Sequence, residues 1–335
     1  AHTILHCSNY FYNEPAVQTA RLIVENSCFD KVLFANSGAE ANEGQIKLAR
    51  KYAKDHGHPE RFVVITMKES FHGRTLATCT ATGQYPVHRY FEPLPDGFRY
   101  AEFNNLDSVK AIMDEYVCAI LTEPVQGEGG VRPASREFLQ GLRELCDEKG
   151  ILLMFDEVQV GSGRTGKLFA HQYYGVEPDT CSMAKALGSG VPIAAVCAKG
   201  EAAKVLTPGT HGSTFAGGPL ACALAATTLD VMLNEGVLDN CAEMGEYFRQ
   251  QAHEVIEKHH PNAIQEIRGL GLIDGIQLKH PSGQPVVDLC FQDSKVLINN
   301  TAGNVLRFIP PLIVGKEEID IVIKAVDDAM TKLGW

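Results

Sequence analysis

Residues 151–155 read Ile-Leu-Leu-Met-Phe, an unbroken apolar run that stops abruptly at Asp156 and Glu157. A strand that is apolar on both faces has to be covered on both faces, the condition of a central strand in a parallel sheet. In open α/β sheets the ligand sits just beyond the carboxyl ends of such strands, where Asp156 stands. The same pattern recurs along the chain. Strand-like runs at 31–35, 61–66 and 117–122 are interleaved with helix-forming runs at 14–27, 39–55 and 136–149. That alternation predicts an α/β fold with a mostly parallel central sheet and helices on both faces. Residues 219–234 predict a long helix, followed by an amphipathic one at about 238–259. Beyond Pro261 the runs change to shorter strands at 264–267, 272–278 and 305–309, closed by a helix over 316–333. We expect a large domain over 1–250 and a smaller α+β C-terminal domain over 251–335.

Asp156 gains meaning from Lys185, in Ser182-Met183-Ala184-Lys185-Ala186-Leu187-Gly188. A buried carboxylate at one strand end and a lysine after a later strand suit an aldehyde cofactor with a basic ring nitrogen. The lysine condenses with the aldehyde, and the carboxylate keeps the ring nitrogen protonated so that the ring withdraws electrons. Pyridoxal 5′-phosphate has that chemistry. Taken singly, the lysine reads as a solvated surface group, since lysines are rarely buried. Gly188-Ser189-Gly190, just downstream, predicts a backbone passing close to something bulky.

Such a cofactor needs a phosphate site. After the strand-like run ending at Ala35 comes Asn36-Ser37-Gly38-Ala39-Glu40 and then a helical composition to about Asp55. Ser37 is placed to cap that helix, with Glu40 completing a capping box. The first amides, at Gly38 and Ala39, would then be open to a phosphate, favoured by the helix dipole. Many capping boxes begin helices that bind nothing. Ser70-Phe71-His72-Gly73-Arg74-Thr75 supplies an aromatic ring to stack on a planar cofactor and a guanidinium to hold a carboxylate. Their plain alternatives are a core phenylalanine and a surface arginine.

Composition excludes other classes. The net charge of −11 argues against a nucleic-acid partner. No apolar run approaches a membrane span, and no basic-then-apolar start resembles a signal peptide. The ten cysteines include no Cys-x-x-Cys pair, and the twelve histidines no His-Glu-x-x-His pattern. Reduced thiols, no metal and a cytoplasmic location are the expectation.

The ordered motifs Asn36 to Glu43, Phe71-His72-Gly73-Arg74-Thr75, Glu123 to Gly130, Asp156-Glu157-Val158-Gln159, Gly163-Arg164-Thr165-Gly166, Lys185 and His211 to Phe215 resemble the class III aminotransferases. The likeness runs through essentially the whole chain to Arg307-Phe308-Ile309-Pro310-Pro311-Leu312. It implies the aspartate-aminotransferase-like fold, fold type I of the pyridoxal-phosphate transferases. His6-Cys7-Ser8-Asn9, Asn13-Glu14-Pro15 and 138–147 are similar to the branch of the class that uses N-acetylornithine and 2-oxoglutarate in arginine biosynthesis.

Carried over by position, the resemblance implies that Ser37, Gly38 and Ala39 hold the phosphate, Phe71 stacks on the ring and Val158 packs its other face. Asp156 would pair with the ring nitrogen and Gln159 reach the phenolic oxygen. Lys185 would carry the cofactor and move the proton. Arg74 and Ser213 match substrate contacts. Glu128 and Arg307 match a pair that opens to admit glutamate. Thr214 would contact the cofactor of the neighbouring subunit, making a homodimer the functional unit. The chain opens where members of the class already have several tens of residues, a stretch that carries part of their substrate channel. It departs from the class at Val160, where a small polar residue is common, and at Ala216-Gly217-Gly218-Pro219, which lacks the usual asparagine before the proline. Ornithine, succinylornithine, succinyl-diaminopimelate and 4-aminobutyrate are rival donors. A cofactor-binding scaffold without turnover is the rival from another class.

Overall fold

The apolar runs become strands. In chain order these are β1 (Lys31–Ala35), β2 (Val63–Met67), β3 (Phe98–Ala101), β4 (Val117–Thr122), β5 (Val125–Gln126), β6 (Arg132–Pro133) and β7 (Leu152–Asp156). They are followed by β8 (Thr180–Met183), β9 (Ala194–Ala198), β10 (Ile264–Leu270), β11 (Ile273–Leu278), β12 (Asn299–Thr301) and β13 (Val305–Phe308). A computed structural model describes residues 2–335, which divide into two units. The first comprises the chain up to Pro124 with Ala134–Ser162 and Phe169–Glu235. The second comprises Val125–Pro133, Gly163–Leu168 and Gly236–Trp335.

The first unit is built on a seven-stranded sheet in the order β1-β9-β8-β7-β4-β2-β3. All neighbours from β8 to β3 pair in parallel; β9 runs against both β1 and β8. Every residue of β2, β4, β7, β8 and β9 is buried, so both faces of the sheet are covered. One cover is the helix Gly38–Asp55, whose Leu48, Ala49 and Ala53 share a buried cluster with Val64, Leu121 and Met154. Each large apolar side chain buried this way stabilises the fold by about 1.5–3 kcal/mol. The helix Arg136–Lys149 starts under the Ser135 cap and stops at Gly150, whose left-handed φ of 62° turns the chain into β7. That turn aims β7 so that Asp156 emerges at its carboxyl end.

The second unit holds a four-stranded antiparallel sheet, β10-β11-β13-β12, and the ribbon β5–β6. Helices Val237–Gln251, Gln284–Ser294 and Lys316–Leu333 belong to it. No single helix among the described residues is long and apolar enough to cross a membrane.

Several elements differ from expectation. β2 begins at Val63 rather than at 61, because Phe62 and Val63 both donate to Tyr116 O and the register shifts there. β3 was not anticipated: it is a four-residue edge strand whose Phe98, Arg99 and Tyr100 are only half-buried, too short to show a period. The amphipathic helix at 238–259 is α-helical only over Val237–Gln251 and continues as a π-helical stretch, Ala252–Glu257.

Candidate active site

The carboxyl ends of β7 and β8 and the helix at Gly38 converge on a cavity of about 480 Å³ in the first unit. Of the predicted residues, Ser37, Gly38, Ala39, Phe71, Arg74, Asp156, Val158, Gln159 and Lys185 all line it.

Asp156 is 4 % exposed and accepts four hydrogen bonds. Asn42 Nδ2 donates to Oδ2 at 2.7 Å and His72 Nδ1 at 2.8 Å. Val158 N donates to Oδ1 at 3.0 Å and Ser182 Oγ at 3.4 Å. A buried carboxylate is costly unless donors hold its charge, and four of them do so here. The donors are themselves fixed. Asn42 also donates to His72 O, and Gln45 Nε2 donates to Asn42 Oδ1 at 3.1 Å, which settles which end of the Asn42 amide faces Asp156. Thr180 Oγ in turn donates to Gln45 Oε1 at 2.5 Å. His72 N donates to Thr82 Oγ1. Neither Asn42 nor His72 was singled out from the sequence as a site residue. Their only signal was membership in the motifs beginning at Asn36 and Phe71.

Lys185 follows β8 and opens a single 3-10 turn, Lys185–Gly188. Its φ of 44° is left-handed, a conformation that costs a non-glycine residue about 1–2 kcal/mol. Strain of this kind persists where the surroundings impose it, typically at functional sites. The side chain opens onto the cavity that Asp156 borders. At Gly188 the bulky neighbour belongs to the protein itself. A Cβ on Gly188 would lie 2.7 Å from Ile193 Cγ2, so it is the protein's own isoleucine that needs the space.

Ser37 caps the helix by accepting from Glu40 N at 3.2 Å. Glu40 reaches back one residue further than a capping box requires, accepting from Asn36 N at 3.0 Å and from its side chain at 2.8 Å. The amides of Gly38 and Ala39 belong to the first turn, which has no acceptors within the helix. A side chain on Gly38 would meet Val158 Cγ1 at 2.6 Å, so glycine lets the first turn of the helix and Val158 coexist. Phe71 N donates to Glu123 Oε2 at 3.1 Å. The exposed Arg74 guanidinium lies 5.3 Å from the Phe71 ring centroid, a cation–π contact.

Ser213 and Thr214 do not line this cavity. Ser213 Oγ is tied to its rim, accepting from Asn36 Nδ2 at 2.9 Å, and Thr214 is exposed on the same loop. Glu128 and Arg307 lie in the second unit, where Arg307 Nη1 meets Glu128 Oε1 at 2.7 Å. Arg307 Nε also donates to Asn299 Oδ1 at 3.0 Å, from the residue opposite it in the β12–β13 ladder. Thr301 Oγ1 donates to Glu128 O at 2.6 Å and fixes that loop. Asn299 and Thr301 had no sequence signal.

The class III aminotransferase family model matches residues 1–330. The chain is 46 % identical to the acetylornithine aminotransferase of Caldanaerobacter subterraneus subsp. tengcongensis over 99 % of its own length and 84 % of that protein's. It is 47 % identical to the acetylornithine aminotransferase of Methanocaldococcus jannaschii, covering 99 % and 83 %. Among solved structures, the ornithine aminotransferase of Toxoplasma gondii ME49 superposes with a TM-score of 0.93 at 34 % identity, covering 99 % of this chain and 80 % of that one. An amine transaminase from an uncultivated Pseudomonas species, solved in its PLP-bound form, gives 0.90 at 25 % identity, covering 99 % and 84 %.

Proposed function

The chain belongs to the class III aminotransferases, and from that premise we propose that it moves the δ-amine of N-acetylornithine to 2-oxoglutarate. The products are N-acetylglutamate semialdehyde and glutamate, a step of arginine biosynthesis. The observation that carries this reading is the convergence of Asp156 and Lys185 on one cavity that begins at a helix N-terminus.

The residues fit pyridoxal phosphate. Asp156 is a buried carboxylate immobilised by four donors, as a permanent partner for a protonated ring nitrogen must be. The Gly38 turn, kept narrow by Val158, offers its amides to the phosphate. When bound, pyridoxal phosphate supplies an electron-withdrawing ring that makes the hydrogen on the amine-bearing carbon acidic. Phe71 and Val158 would close the two ring faces, and Gln159 would take the phenolic oxygen. Lys185 would be the covalent attachment point and, as general base, would carry the proton from the donor carbon. Its exposed position at the head of a single turn puts the side chain on the cavity where both tasks are done. Arg74, with Ser213, holds the donor's α-carboxylate by its planar fork. Arg307 is held by Glu128 while the monoacidic donor binds and takes the α-carboxylate of glutamate when that pair opens.

Two copies of the chain form the working enzyme, with Thr214 reaching the partner's cofactor; its exposure outside its own cavity supports this role. The ten cysteines are all free thiols, which supports a cytoplasmic setting. A donor panel with 2-oxoglutarate tests the substrate. N-acetylornithine should exceed ornithine, succinylornithine and 4-aminobutyrate in kcat/KM. A tenfold advantage for any of the others, about 1.4 kcal/mol, would replace it as donor.

A further inference from the structure

Outside the cavity, the turn between the first helix and β1 places Cys28 Sγ 3.6 Å from Nε2 of His171. The opposite nitrogen of that ring, Nδ1, lies 3.1 Å from Glu157 Oε1. Glu157 already accepts from Ala170 N on Oε2 and from His171 N on Oε1, so it is an acceptor only. Nδ1 therefore carries the hydrogen, and Nε2 presents its lone pair to the thiol. This is the arrangement of an activated nucleophile: a thiol within reach of a base, and a third group that orients the base.

The surroundings hold it rigid. His171 and Glu157 are almost fully buried, at 2 % and 1 % exposure. The rings of Phe29 and Phe169 pack on the imidazole with centroids 5.4 and 5.1 Å away. Gln172 Nε2 donates to Asn26 O at 2.9 Å, which fastens the Cys28 turn over the short helix Ala170–Tyr174. Burial opposes a charged ring, but Cys28 and Glu157 favour it, so His171 can hold the hydrogen that the thiol gives up. Cys28 itself is only half-buried, whereas eight of the ten cysteines are buried. None of the three residues lines the transamination cavity, and amine transfer gives them no task.

We propose that Cys28, His171 and Glu157 form a reactive thiol centre that a hydroperoxide oxidises. His171 takes the thiol hydrogen as Sγ attacks the terminal peroxide oxygen. The S–O bond forms as the O–O bond breaks, and the leaving alkoxide or hydroxide takes the proton from His171. Sulfur loses two electrons to the peroxide, and the products are a Cys28 sulfenic acid and an alcohol or water.

Cys7, the other half-buried cysteine, is the internal control. The native holoenzyme is treated with hydrogen peroxide in the presence of dimedone, and adducts at both residues are followed by mass spectrometry. Cys28 should be trapped much faster than Cys7, and His171→Gln should slow Cys28 by about a hundredfold while leaving Cys7 unchanged, the lower end of what a positioned base contributes. Equal rates at the two cysteines in the native protein would overturn the proposal, whether or not the variant folds. So would a Cys28 rate that His171→Gln does not alter.

Discussion

Two buried carboxylates, one in each unit, are held in opposite ways. Asp156 is 4 % exposed and accepts from Asn42, His72, Val158 and Ser182. Asp274, on β11, is 1 % exposed, yet among the described residues its Oδ1 pairs with Arg249 Nη1 at 2.6 Å and its Oδ2 has no hydrogen-bond partner. Burial pushes Asp274 up to about 7, with Arg249 opposing that rise. Burial alone therefore does not make a working carboxylate. What distinguishes Asp156 is the shell of donors that keeps it an acceptor and fixes its direction toward the cavity.

The largest effect should separate the two sites outright. Asp156→Asn should slow the half-reaction with donor amine by about 10⁴-fold, as when a buried orienting carboxylate is replaced elsewhere. Asp274→Asn should leave that rate within twofold. Stopped-flow spectroscopy of the first half-reaction reads both, and similar losses at the two positions would erase the distinction.

A second experiment extends the comparison to the exchangeable pair in the second unit. Arg307 is buried and pairs with the half-exposed Glu128, the partner that glutamate would replace under the proposed function. Arg307→Ala should cost the glutamate half-reaction about 2–3 kcal/mol, the worth of hydrogen bonds to a charged group, and the N-acetylornithine half-reaction much less. Single-turnover rates for the two halves decide it; equal losses would mean that Arg307 does not discriminate.

A third effect is on stability rather than on rate. Asp274 keeps its proton in the folded state up to about pH 7, whereas the unfolded chain releases it near its ordinary value of 3.8. The folded state binds the extra proton in between, so this group's contribution is fully present below about pH 4 and is lost as pH rises to about 7. The slope is about 1.4 kcal/mol per pH unit. Asp274→Asn should remove that component from urea-unfolding free energies measured between pH 5 and 7. An unchanged slope in the variant would show that Asp274 is ionised throughout.

Much of this was legible in the sequence because the information is local. The run ending at Asp156 marks a covered strand, and the Ser37-Gly38 turn marks a helix start, each within a few residues. The donors that set Asp156 apart come from far along the chain: Asn42 is 114 positions away and His72 84. No period or motif rule joins them, since only the parallel sheet brings their elements together. The left-handed Lys185 is likewise invisible, because neighbouring residues of ordinary type give no sign that tertiary packing will strain it. The asymmetry of Asp274 was hidden for the same reason: Arg249 reaches it from a separate helix.

The most direct test is to reduce the native holoenzyme with borohydride and map the peptide that retains the pyridoxyl group. The label should fall on Lys185, and Lys185→Ala should lose multiple turnover while retaining cofactor through the Gly38 turn and Asp156. A pyridoxyl group on any other lysine, or sustained turnover by Lys185→Ala, would contradict the assignment.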